Sequence, residues 1–356
     1  MGITGNKGEW SEAYAFLRLL ADGKLFAADE ELNRIGNMFF PIIKIIREET
    51  KGTPYEYHPN TETAEVKVFL NDEEILSLPA STFDEEAKHL LEEIPTGQGS
   101  FEVPGAEAFI RQIHLTKLKA PSADKSDISI QIHDINTGYE NVVGFSIKSE
   151  LGSPPTLLNA GRTTNFIYEV SELDSSKISE INAIETRTKI IDRMSAIAEN
   201  SGRLTFLEME NETFKRNLTM IDSQMPAIVA EVLLGYYTKN IADCVELADH
   251  VSQVNPLSCS GEFYKHKIKD MLCAIALGMK PATNWDGTDE ASGGYIIVKT
   301  DGDVLAYHIY NRDAFRGYLL RNTKLERGST TRHDFCSLYE ENGKIKIKLN
   351  LQIRFS

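Results

Sequence analysis

Two short runs of alternating residues constrain this chain more than anything else in it. Residues 126–135 read S-D-I-S-I-Q-I-H-D-I and residues 142–149 read V-V-G-F-S-I-K-S. A period of two is the signature of a strand whose successive side chains point to opposite faces. The intervening Asn136-Thr137-Gly138 supplies turn residues, so the two runs read as a hairpin. One face carries Ile128, Ile130 and Ile132 with Val143, Phe145 and Ile147. The other carries Asp127, Ser129, Gln131 and His133 with Gly144, Ser146 and Lys148. The hairpin therefore buries an apolar face while holding an aspartate, a serine and a lysine on one polar side.

Upstream, Glu9 to Ala21 has helical periodicity, with Trp10, Ala13, Tyr14, Leu17 and Leu20 as its buried stripe and Asp22-Gly23 as its stop. Met38 to Ile46 is apolar and leads into an extended loop. Residues 64–70 and 74–78 read as a second hairpin around Asn71-Asp72, 83–94 as an acidic amphipathic helix and 104–114 as a helix opened by Pro104. Residues 119–125 read as a loop. After Gly152-Ser153-Pro154-Pro155 the pattern predicts a short helix and a strand at 165–170. From Ser176 to about Met279 helical periodicity dominates, including 178–200, 225–237 and 262–277. Strands return at 295–299 and 304–310, with a last long strand at 344–355. This divides the chain into residues 1–172 with the catalytic hairpin, a helical subdomain at 173–283, and a basic C-terminal β region at 284–356.

Charge narrows the partners. The 356-residue chain carries a net charge of −15, which by itself disfavours a nucleic-acid ligand. From Arg312 to Ser356, however, ten basic residues face five acidic ones, which leaves −20 for the remainder. A basic surface on an acidic body suits a ligand that must dock one way; a merely solvated charged face is the alternative. No run approaches the roughly 20 apolar residues of a membrane span, and the N-terminal residues have no apolar signal core, so a cytoplasmic protein is expected. The four cysteines, Cys244, Cys259, Cys273 and Cys336, lack zinc-site spacing.

Asp127 and Lys148 are the residue types that metal-assisted phosphodiester hydrolysis requires. A carboxylate is the hard oxygen ligand that magnesium takes, and a nearby ammonium orients water and offsets developing negative charge. An exposed ion pair across two strands has the same appearance. His133 shares the polar face, where a structural histidine is the commoner role.

With Asp127 followed by Ser146-Ile147-Lys148, the hairpin resembles the PD-(D/E)XK nuclease motif. Three longer stretches resemble the HpaII family of type II restriction endonucleases: GEWSEAYAFLRLLADGKL at 8–25, GFSIKSELGSPPTLLNAGRTTNF at 144–166 and GYIIVKTDGDVLAYHIYNRDAFRGYLLRNTKLERGSTTRHDF at 294–335. The resemblance spans nearly the whole chain. It implies an α/β fold, a restriction-endonuclease-like core with a mixed central sheet, plus a helical block and a C-terminal β region.

The activity implied is Mg2+-dependent cleavage of both strands of double-stranded DNA within the palindrome CCGG, leaving 5′-phosphate ends. Mn2+ would substitute, and Ca2+ would bind without supporting cleavage. A homodimer and a cognate DNA methyltransferase in the same cell, not a bound subunit, are the partners implied. The rivals are a DNA-binding protein with a decayed site, a nuclease acting on modified or RNA-containing duplexes, and a helical adaptor with no nucleic-acid affinity.

The sequence departs from the nuclease pattern at Ser126, where proline is usual, and at Ser146, where a second acid is expected. Another carboxylate must then complete the metal site beside Asp127 and the Ile147 carbonyl. Glu12 is favoured by resemblance, Glu9 stands next and Glu150 third; helix capping is the competing role for the first two. Ser146 could hold a metal-bound water.

For DNA, Gly152–Pro155 before the expected helix would offer backbone amides to a phosphate, with Arg162 nearby. The best base-reading candidate is 324–333, with Lys324, Arg327, Ser329, Thr330, Thr331, Arg332 and His333. In the terminal strand, Lys344, Lys346 and Lys348 continue as Asn350, Gln352 and Arg354 on one face, either to track a phosphate backbone or to protect a sheet edge.

Overall fold

A computed structural model describes residues 2–50, 52–118, 126–135 and 138–356. The expected loop at 119–125 and the Asn136-Thr137 turn lie outside the described residues. The fold is mixed α/β, but the chain does not divide into three successive stretches. One unit comprises Met1–Pro155 with Asp289–Tyr318, and the other Thr156–Thr288 with Leu319–Ser356.

In the first unit nine strands form one mixed sheet, ordered Lys24–Ala28, Val304–His308, Gly294–Val298, Glu140–Ser149, Ile128–His133, Arg34–Thr50, Thr53–Asn60, Glu65–Leu70 and Glu73–Pro79. The hairpin expected from its alternation is present, with Ile128 opposite Phe145 and Ile130 opposite Val143. Its neighbour Gly294–Val298 runs parallel to it, bringing Tyr295 beside Ser146. Gly294 has φ +112°, and a Cβ there would lie 1.9 Å from the Tyr307 carbonyl oxygen, so the close strand approach requires glycine.

The Arg34–Thr50 strand is long enough to serve two ladders. Its start pairs with Lys24–Ala28, Leu25 opposite Phe40, and its later half pairs with Ile128–His133. Six strands thereby close into a ring. The stretch read from sequence as an extended loop after Ile46 is a strand, Thr53–Asn60, whose prolines sit near its two ends.

Helix Lys7–Asp22 ends on Gly23 at φ +59°, as its stop signal predicts. The expected stripe is buried, and so are Ser11, Ala15, Phe16 and Leu19. Phe16 meets Tyr57 edge-on with centroids 4.8 Å apart, and the Tyr14 hydroxyl donates to the Gly302 carbonyl. Both contacts anchor the helix at fixed height beside the sheet, which matters because its first turns carry Glu9 and Glu12.

The second unit combines helices with a four-stranded antiparallel sheet, Arg203–Met209, Asn165–Ser171, Lys344–Asn350 and Leu338–Glu341, and a three-stranded one, Thr156–Leu158, Ile353–Phe355 and Thr323–Leu325. Four expectations need correction. The short helix after Pro155 is instead the Thr156–Leu158 strand, paired with Ile353–Phe355. The helical block contains a strand, Arg203–Met209, because Leu204 and Phe206 alternate after a turn at Ser201, whose φ is +65°.

The helix expected at 178–200 is two, Lys177–Asn182 and Lys189–Glu199. Buried Arg193 holds the break open by donating to the carbonyls of Asn182 at 2.6 Å, Ile184 at 3.2 Å and Cys336 at 2.8 Å. The last strand is two, Lys344–Asn350 and Ile353–Phe355, because the chain passes from one sheet to the other. Buried Asn350 pins the crossing, its amide donating to Gly161 O at 2.7 Å and Asn165 Oδ1 at 2.6 Å.

Candidate active site and nucleic-acid interface

Asp127 sits at the end of the hairpin ladder, one residue before Ile128. Its backbone N–H donates to Phe145 O at 2.8 Å. Oδ2 accepts the Ile147 N–H at 2.8 Å and the Ser146 hydroxyl at 3.1 Å. Lys148 Nζ in turn donates to Ser146 Oγ at 3.1 Å and to Ile147 O at 3.1 Å. It also lies 5.5 Å from the centroid of the Tyr295 ring, a cation–π contact supplied by the neighbouring strand. Asp127, buried Ser146 and Lys148 therefore form one continuous hydrogen-bonded line.

Ser146 cannot act as an anionic ligand. It joins the Asp127 carboxylate to the Lys148 ammonium through its hydroxyl.

The three acids proposed to complete the site separate cleanly. A cleft of about 440 Å3 is lined by Glu12, Ile147 and Lys148, together with Asn6, Lys7 and Ser149. Glu9 faces the helix start instead: its Oε2 accepts the Asn6 N–H at 2.9 Å while its own N–H donates to Asn6 Oδ1 at 3.1 Å. That reciprocal pair is a capping box and commits Glu9 to the helix terminus. The signal was present in the sequence as N-K-G-E from Asn6 to Glu9. Glu150 is exposed and reaches the Thr300 N–H at 3.4 Å, away from the lining of the cleft. Of the hairpin's other polar residues, His133 contacts Glu140 at 3.2 Å, which is a surface role.

Among the described residues no group of three or more His, Cys, Asp or Glu side chains is gathered as a metal centre. The donors at hand are the Asp127 carboxylate, the Glu12 carboxylate on the cleft wall and the Ile147 carbonyl. All are hard oxygen donors, the chemistry that a divalent cation of the magnesium type takes.

In the second unit, the 324–333 segment runs from the strand Thr323–Leu325 into a one-turn helix, Thr330–His333, whose start is capped by Ser329 accepting the Arg332 N–H at 3.3 Å. Ser329, Thr331 and Arg332 are exposed. Arg327 donates to Asn240 Oδ1 at 2.7 Å and stacks over the Tyr236 ring at 5.3 Å, so its guanidinium is held in one orientation. Arg162 is exposed near Asp334, whose carboxyl lies below its ordinary range chiefly because Lys348 donates to it. No helix follows Gly152–Pro155, so the helix-terminus phosphate site expected there is not formed.

The terminal lysine stripe is also not the open cationic face its alternation suggests. Lys344 pairs with Glu169 at 2.7 Å, Lys346 with Glu341 at 2.6 Å, and Lys348 with Glu210 at 2.8 Å and Asp334 at 2.9 Å. Glu169 and Glu210 come from distant parts of the chain, Glu341 and Asp334 from nearby in sequence. Beyond the break, Gln352 and Arg354 both contact Glu326.

A family model described as HpaII restriction endonuclease matches residues 6–355. The type II restriction enzyme HpaII of Haemophilus parainfluenzae is 42% identical over 360 aligned residues, covering 99% of each chain. No solved structure matches the chain. The class is that of the type II restriction endonucleases, DNA-binding hydrolases that generally need divalent metal ions. The chain belongs to the HpaII restriction endonuclease family.

Proposed function

We propose that this enzyme cleaves both strands of duplex DNA at CCGG with Mg2+, through a PD-(D/E)XK-type centre formed by Asp127, Ser146 and Lys148 with Glu12. The observation that carries the reading is the Asp127–Ser146–Lys148 hydrogen-bonded line beside a cleft that Glu12 and Lys148 both line. Asp127, Glu12 and the Ile147 carbonyl would hold the cation; Glu9 is assigned to the helix cap instead. Magnesium bound there supplies Lewis-acid polarisation of the scissile phosphate. Lys148 Nζ, fixed between Ser146 Oγ and Ile147 O, orients the attacking water and offsets charge on the phosphoryl oxygens. In-line attack by that water leaves a 5′-phosphate and a 3′-hydroxyl.

Recognition is assigned to Arg327 and the turn Ser329–His333, with Lys324 and Arg162 as supporting cations. Arginine held in one orientation suits bidentate reading of guanine. Lys344, Lys346 and Lys348 are left out of this assignment because their charges are already paired. A palindrome fits a twofold homodimer, working in the cytoplasm alongside a separate methyltransferase that protects host DNA.

The test is digestion of a CCGG-containing plasmid in Mg2+ or EDTA by wild type, Asp127→Ala and Lys148→Ala. Discrete fragments, made only in Mg2+ and by wild type alone, with ends inside CCGG, are expected. Intact plasmid with folded wild-type protein overturns the reading.

A further inference from the structure

The break between helices Lys177–Asn182 and Lys189–Glu199 carries a basic residue that no motif singles out. Its loop forms one wall of a cavity of about 360 Å3 in the second unit, lined by Thr186, Arg187 and Thr188 on one side and by Arg327, Ser329 and Thr331 on the other. The wall is built rather than incidental. The hydroxyls of Thr186 and Thr188 both donate to Asp192 Oδ2, the second at 3.0 Å. This clamp fixes the residues on either side of Arg187 and leaves Arg187 itself exposed.

The local acids are already engaged, Asp192 by the two threonines and Glu185 by Lys189 at 2.8 Å and Arg193 at 2.9 Å. Among the described residues, no carboxylate pairs with Arg187. The cavity therefore presents the Ser329 and Thr331 hydroxyls and two guanidinium groups, Arg187 and Arg327, which are the donors that bind phosphate oxygens.

We propose that Arg187 contacts a backbone phosphate of the bound DNA, opposite the recognition segment. This rests on the assignment of residues 324–333 to DNA recognition. Arg327 is held over Tyr236 and by Asn240, which suits a base edge. Arg187, at the tip of a clamped loop with a solvated side chain, suits the flexible phosphate rail and positions the duplex without reading its sequence.

The test is anisotropy titration in EDTA, from 50 to 300 mM KCl, of wild type, Arg187→Ala, Arg187→Lys and Arg327→Ala. The probes are a CCGG duplex and a scrambled duplex of the same composition. Arg187→Ala is expected to weaken both duplexes by the same factor, roughly fivefold near 0.1 M salt, and to reduce the slope of log K against log salt by about 0.9. Arg187→Lys should restore the slope. Wild-type affinity and slope in Arg187→Ala, with binding lost in Arg327→Ala, overturns the inference alone. A loss confined to the CCGG duplex with an unchanged slope also overturns it. Unchanged binding in both alanine variants removes the recognition assignment as well.

Discussion

Asp127 Oδ2 receives the backbone N–H of Ile147 at 2.8 Å, across the point where the hairpin ladder ends. One carboxylate oxygen thus completes the edge of the strand that carries Ser146 and Lys148, while the rest of the group is available for chemistry. Replacing Asp127 by Asn keeps an acceptor for that N–H and removes the charge. The variant should melt within about 2 °C of wild type and lose cleavage by a factor on the order of a thousand, measured on a CCGG plasmid. Retained cleavage would move the centre elsewhere.

Glu9 and Glu12 lie one helical turn apart and have opposite expected phenotypes. Glu12→Gln should abolish Mg2+-dependent cleavage without changing the melting temperature. Glu9→Gln, which weakens the capping box, should cost about 1 kcal/mol of stability at most and leave kcat unaltered. Thermal melts and initial rates on the same two preparations decide between them.

Ser146→Ala interrupts the line between Asp127 and Lys148 without touching either. A fall of roughly tenfold in kcat with an unchanged KM is expected, as for residues that hold a reacting group in place. Steady-state kinetics over a range of substrate concentrations would show it.

Lys348 bridges Glu210 and Asp334, so its removal should register in stability and not in DNA affinity. Lys348→Met is expected to lower the melting temperature by roughly 2 °C, a small effect because the pair is partly exposed. Its salt slope for DNA binding should match wild type.

His308 is buried between Phe40 and Phe145, at centroid distances of 4.7 and 6.2 Å. Burial holds its pKa down at about 4, against the partial opposing pull of Asp134. An unfolded histidine titrates near 6.5. Between those values the unfolded chain takes up a proton that the folded one refuses, so the stability present above about pH 6.5 is lost as pH falls toward 4, by about 3 kcal/mol in all. Melting curves from pH 7.5 to 4.5 should show this drop, and His308→Phe should flatten it.

The hairpin that carries Asp127, Ser146 and Lys148 was legible in the sequence because alternation is local and its two runs lie only a few residues apart. The same is true of the second hairpin and the first helix. Its parallel neighbour, Gly294–Val298, is fixed by contacts some 150 residues away, and no periodicity can announce which strand it joins. The lysine stripe is hard to read for a related reason: Glu169 and Glu210, distant in sequence, pair with Lys344 and Lys348 through the fold, and Glu341 pairs with Lys346 across the adjoining hairpin. Arg187 escaped notice because 178–200 reads as a continuous helix until Arg193 is seen satisfying the carbonyls of an interior break. Glu9 was the opposite case, since N-K-G-E spells a cap that competition with metal binding obscured.

The ring of six strands has a consequence for how such an enzyme is made. Strands Gly294–Val298 and Val304–His308 close the gap between Glu140–Ser149 and Lys24–Ala28. A chain shortened before Gly294 would leave Ser146 and Lys148 on an open sheet edge, without the Tyr295 ring beside the ammonium.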